Sequence, residues 1–131
     1  MLTLRITIDS AKKANSRWLV SFSSSCGEGV GYWNGTPPTC SAIYFVELHS
    51  DDILTIGTNA GTLTEAREGI ESTAVGVVIY GTLDAVSDER TGSFRFADGR
   101  IELELANADL WKVGQPYWFR LNLLVLFDQN L

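Results

Sequence analysis

The feature that most constrains this chain is a two-residue hydrophobic period that recurs along most of its length. Leu2, Leu4, Ile6 and Ile8 alternate with Thr3, Arg5 and Thr7. Successive side chains of an extended strand point to opposite faces, so such a segment buries one face and wets the other. Trp18, Val20 and Phe22 repeat the pattern after a polar stretch, Asp9 to Ser16, that reads as the turn of a hairpin. Further strand signals lie at Ile43 to Leu48, Ile53 to Ile56, Val75 to Leu83, Phe94 to Phe96, Ile101 to Leu105 and Tyr117 to Phe127. Turn chemistry at Ser50-Asp51-Asp52, Ser87 to Arg90 and Asp98-Gly99 separates several of them.

Residues 23 to 41 are rich in Ser, Gly and Pro and read as a long exposed loop with a small hairpin at Asn34-Gly35. One helix is expected over Thr62 to Ile70, where Thr62 and Glu65 have capping-box spacing and Leu63, Ala66 and Ile70 share a face. Asn107 to Leu110 adds one helical turn. The expected architecture is all-β: a single domain over residues 1–131, a sandwich or barrel of about eight short strands with one short helix.

Charge narrows the partners. Sixteen acidic residues against ten basic ones leave a net charge of −6. Nucleic-acid binding replaces phosphate counterions with Lys and Arg. Here the basic residues cluster only at Lys12-Lys13, in an expected turn, so nucleic acid is disfavoured. No apolar run approaches the roughly 18 residues of a membrane span. The N-terminus alternates rather than showing a basic start and an apolar block. Neither secretion nor a membrane is expected, which leaves the cytoplasm or a virion. Cys26 and Cys40 flank the Gly- and Pro-rich segment and are expected to lie close in space. They form either a disulfide, worth roughly 3 kcal/mol in the chain-entropy view, or two reduced thiols.

Residues able to carry chemistry are few. His49 is the only histidine and is followed by Ser50, Asp51 and Asp52. Adjacent turn residues rarely align as nucleophile, base and orienter. Glu47, Glu102 and Glu104 offer carboxylates for acid–base work, but Glu102 and Glu104 sit on the polar face of an alternating strand. Asp84, Asp88 and Glu89 offer oxygens to calcium without the twelve-residue loop spacing. Gly27, Gly29 and Gly31 alternate without the Lys-Ser/Thr of a phosphate loop. No catalytic, cofactor or metal site is assigned.

Contact residues stand out more. Tyr32 and Trp33 sit among glycines and prolines, as at a binding-loop tip, and aromatics are favoured anchors at interfaces. The last strand carries Tyr117, Phe119, Leu121, Leu123, Val125 and Phe127 on one face, and Trp118, Arg120, Asn122, Leu124 and Leu126 on the other. A strand apolar on both faces needs cover on both. Trp118, Leu124 and Leu126 are therefore interface candidates beside Tyr32 and Trp33, with a homo-oligomer or another protein as the cover; the second wall of the sandwich and the helix near Glu65 are the intramolecular alternatives.

Asp98-Gly99-Arg100-Ile101-Glu102-Leu103-Glu104-Leu105, Ala108-Asp109-Leu110, Gly114 and Tyr117-Trp118-Phe119-Arg120-Leu121 together resemble the closing hairpin of immunoglobulin-like β-sandwich domains in phage virion and baseplate proteins. The likeness spans the last quarter of the chain. It implies a structural virion module, such as a capsid-decorating or tail protein, and brings no catalytic residue. Two other classes remain open. One is an immunity or inhibitor protein whose acidic surface masks a basic toxin or nuclease. The other is a small-ligand or oligosaccharide binder using Tyr32, Trp33 and Trp111 at a barrel mouth.

Overall fold

A computed structural model describes residues 3–74, 76–87 and 90–129. The expectations placed on Leu2, Val75, Asp88 and Glu89 lie outside the described residues. The strands in chain order are β1 (Leu4–Ala14), β2 (Arg17–Ser24), β3 (Gly27–Asn34), β4 (Ile43–His49), β5 (Ile53–Leu54) and β6 (Ala60–Thr62). They continue as β7 (Gly69–Thr73), β8 (Gly76–Ser87), β9 (Thr91–Phe96), β10 (Gly99–Leu105), β11 (Pro116–Leu121) and β12 (Val125–Asp128). A 3-10 turn over Ala108–Leu110 is the sole helical element among the described residues. The all-β class is as expected, but twelve strands form where about eight were expected.

Five strands close into a barrel. β1, β2 and β3 form an antiparallel meander, β4 pairs the other edge of β1, and β12 closes the ring between β3 and β4. The β12 pairing is parallel to β3 and antiparallel to β4. Ile6, Ile8, Val20, Phe22, Val46, Leu48 and Leu126 are buried and fill the ring. A barrel of so few strands has room for side chains and nothing else. The β1–β2 hairpin turns on Asn15 and Ser16 alone, both with positive φ, a primed turn that matches strand twist. Lys12 and Lys13 are thus strand residues, paired with Leu19 and Trp18.

The segment expected as an exposed loop contains β3, a central strand. Its inward positions are Gly29, Gly31 and Trp33, all buried. A Cβ on Gly29 would sit 2.6 Å from the Phe22 ring, and one on Gly31 would sit 2.5 Å from Leu126 and 2.9 Å from the Leu124 carbonyl oxygen. Large neighbours occupy the space that the glycines vacate. The strand therefore carries no hydrophobic signature of its own.

The expected long C-terminal strand is two strands with opposite parity. Tyr117, Phe119 and Leu121 are buried on β11, whereas Leu124 and Leu126 are buried after the break. The switch falls at Asn122–Leu123, whose two amides donate to one Asp52 carboxylate oxygen at 2.9 and 3.2 Å. The Ser50 hydroxyl donates to the same oxygen. Cover for both apolar faces is therefore intramolecular. Leu124 and Leu126, 2% and 0% exposed, have no surface to offer a partner.

The remaining strands form a second layer continuous with the barrel. β8 pairs β11 along one edge, and β7 then β9 along the other. β9 pairs β10, β10 pairs β5 and β11 pairs β6. β7 joins the two units through a bridge from Ile70 to Gly27 of β3. Phe94, Phe119, Trp111 and Tyr117 stack at centroid distances of 4.7–6.2 Å beneath this layer. One buried cluster runs from Leu4 and Ile6 of the barrel to Phe94 and Ile101 of the second layer.

The helix expected over Thr62 to Ile70 does not form. Thr62 ends β6 and Gly69 starts β7. Between them the Leu63 amide donates to the Pro116 carbonyl, and Glu68 accepts from the Ala97 amide. A helix this short is marginal in water, so strand pairing at both ends prevails. No helix among the described residues is long and apolar enough to cross a membrane.

Because Gly31 is packed between Leu126 and backbone, Gly31→Ala is expected to destabilise the fold by about 1–3 kcal/mol. Urea titration should show a lower midpoint at unchanged slope. A midpoint equal to the parent's would contradict the close packing of β3 against β12.

Candidate functional site

Strand alternation gives the barrel an outer face as well as a core. On β4, Val46 and Leu48 point in while Glu47 and His49 point out. On β12, Leu126 points in and its neighbour Phe127 is 36% exposed. Register places Phe127 opposite Glu47, and Val125 opposite His49. On β10, Ile101 and Leu103 are buried while Glu102 is exposed and Arg100 half-buried. Glu102 lies opposite Ser93 of β9, and β10 packs against β4. These outward residues meet in a groove of about 640 Å³ along the seam between barrel and second layer. Glu47, His49, Ser93, Arg100, Glu102 and Phe127 line it.

The electrostatics of the groove are asymmetric. The Arg100 guanidinium donates to Asp84 at 2.7 Å, and Asp84 also faces Arg95 at 4.0 Å. Arg100 is therefore neutralised from behind, and its Nε is buried without a hydrogen-bond partner. Glu104 pairs with Arg90 at 3.3 Å, away from the groove lining. Among the described residues, Glu47 and Glu102 make no ion pair. Two carboxylates without an ion pair among the described residues thus share the groove with one exposed ring. The backbone adds polar groups. The Leu105 amide donates towards β9 and the Ala106 amide away from it, to Leu54. By the same alternation, the amides of Arg100 and Glu102 point away from β9, along an edge whose only strand pairing is at Glu104 and Leu105.

The other residues singled out by sequence fall elsewhere. Trp33 is buried, stacks edge-on to Tyr44 and donates its indole N–H to the Thr36 carbonyl. Tyr32 is half-buried under the Arg17 guanidinium, 4.2 Å from the ring centre. These two rings fold back onto the barrel rather than forming a loop tip. Trp118 is half-buried on the outer face of β11, packed over Gly61. Trp111 belongs to the core and donates to the Ala106 carbonyl, so no aromatic barrel mouth exists for it to share with Trp33. Cys26 and Cys40 are free thiols. Cys26 sits in the β2–β3 turn, whereas Ser41, next to Cys40, bonds to Ile8 on the β4 side of β1. Of the two states left open by the sequence, the reduced pair is the one present, with β1 between Cys40 and the β2–β3 turn.

His49 Nε2 lies 3.0 Å from Asp51, but the buried Ser50 hydroxyl is directed to Asp52. Nucleophile and imidazole are not aligned. Asp84 is held by its two arginines. Sequence reasoning raised Glu47, Glu102 and Glu104 as carboxylate candidates, and the fold brings the first two, but not Glu104, to one groove. It missed Phe127 and Arg100. The parity switch after Leu121 puts Phe127 outside, and nothing in the local pattern marks that switch. Comparison with protein-family models, with curated proteins and with solved structures finds no match.

A second aromatic–carboxylate pair on the surface shows how such groups behave when filled. The Tyr80 hydroxyl donates to Glu71 at 2.6 Å. The Arg67 guanidinium lies over the same ring at 3.7 Å and faces Glu71 at 4.0 Å. The hydrogen bond to Glu71, assisted by desolvation, holds the Tyr80 phenol above its ordinary 10.0. A raised folded-state value means that this contribution to stability is full below about pH 10 and lost as pH rises through the folded value. Glu71→Gln is expected to bring the Tyr80 titration, followed by NMR of its ring, back towards 10.0. No change would show that Glu71 is not the cause.

Proposed function

We propose that this protein is non-enzymatic and acts by protein–protein contact, receiving a basic surface of another protein in the seam groove. The observation that carries this reading is that exposed Phe127, cross-strand partner of Glu47, shares one groove with Glu47 and Glu102, neither of which has an ion pair among the described residues. An exposed aromatic flanked by free charge offers both anchoring area and a sign preference. A net charge of −6 adds long-range attraction for a cationic partner. Charged and polar side chains outnumber apolar ones in the groove lining, unlike the mostly apolar wall of a small-molecule pocket, so it serves as the anchor of a wider interface.

Of the settings raised by the sequence, masking of a basic toxin or nuclease fits this groove best. Of the five contact residues raised for self-assembly in a virion, Leu124, Leu126 and Trp33 are in the core, and Tyr32 and Trp118 are half-buried. The test is a photo-crosslinking residue at position 127 in cells that naturally make the protein, with position 65 on an exposed connection as control. The expected adduct at 127 is a different, net-basic protein, lost when Glu47→Lys and Glu102→Lys are combined. An adduct only with a second copy of this chain, or equal yield at position 65, would contradict the reading.

A further inference from the structure

We infer that the partner residue seated in the groove is an arginine, its guanidinium stacked on Phe127 and paired with Glu47 and Glu102. The inference rests on the contact reading above and sharpens it. Two arginines of this chain already cover half-buried aromatic rings on its surface. Arg17 covers Tyr32 and Arg67 covers Tyr80, and Arg67 is also paired with the neighbouring strand's Glu71. Phe127 and Glu47 also set a ring beside a carboxylate of the neighbouring strand, here as direct cross-strand partners on β12 and β4. No arginine of the described chain covers them. Phe127 meets His49 only edge-on, at 5.9 Å and 76°. Glu102, on β10, lines the same groove.

The geometry selects guanidinium over ammonium. A planar cation can stack on a ring while its N–H groups address carboxylates at its edge. A lysine ammonium is a compact, strongly hydrated point charge and gains less from the ring. Arg100 cannot fill the role itself, because its guanidinium is committed to Asp84.

The test uses the whole protein, isotope-labelled, titrated with three peptides of one Gly/Ser background and blocked termini that carry a central Arg, Lys or citrulline. The Arg peptide is expected to shift the amides of Glu47, Glu102 and Phe127, and to bind about fivefold more tightly than the Lys peptide. Citrulline, which keeps the shape without the charge, should not bind. Combining Glu47→Gln with Glu102→Gln should abolish the shifts, and Phe127→Leu should erase the preference for Arg over Lys. All three positions are solvent-facing, and unchanged shifts elsewhere verify the fold. Lys binding as tightly as Arg overturns the arginine assignment and leaves the contact reading standing. So does silence from all three peptides while position 127 still crosslinks to a basic protein. Silence together with no such crosslink overturns both.

Discussion

The rest of the structure depends on β12 being bonded along both edges. Val125 to Phe127 pair with Tyr32 to Asn34 on one side, and with His49 to Glu47 on the other. Without that strand, β3 and β4 would each present an open edge, and edges invite pairing with other chains. With it, the ring closes and Leu126 fills the space over Gly31. Closure also needs β12 to enter with the correct face inward. Asp52 secures this by holding the amides of Asn122 and Leu123 where the chain changes parity. A carboxylate accepting three hydrogen bonds at a strand junction is a strong fixed point, because charge-assisted bonds are roughly twice as strong as neutral ones.

The strand that closes the barrel also makes the groove. Turning Leu126 inward turns Phe127 outward, opposite Glu47. The packing of β10 against β4 then brings Glu102 into the same groove. Arg100, the groove's one formal cation apart from a protonated His49, is held by Asp84. The groove keeps an acidic character consistent with that of the whole chain. Fold and proposed function therefore share one cause. A change that loosened β12 would disturb the core and the contact surface together.

Much of this was legible in the sequence. The alternation of Ile6 and Ile8, of Val20 and Phe22, and of Ile101, Leu103 and Leu105 gave the strands and their buried faces. Gly99 opens β10 and the hairpin forms as expected, although its two turn residues are Ala97 and Asp98. What escaped has physical reasons. β3 was hidden because two of its three inward positions are glycines, which leave room for Phe22 and Leu126 instead of adding apolar side chains. The helix over Thr62 to Ile70 satisfied local rules that tertiary pairing overrode. The run from Tyr117 to Phe127 looked apolar on both faces because it is two strands joined at a parity switch. The carboxylate that makes the switch lies seventy residues earlier in the chain. That error moved Leu124 and Leu126 from the core to an imagined interface, and moved Phe127 the other way.

The central claim is that β12 closes the barrel of its own chain and so sets Phe127 beside Glu47. An isotope-filtered NOE experiment on a mixture of labelled and unlabelled protein tests it directly. The account predicts contacts from Leu126 to Trp33 and to Leu48 within one chain, and none between labelled and unlabelled copies. Contacts from Leu126 appearing only between copies would contradict it, since β12 would then complete a neighbour's barrel.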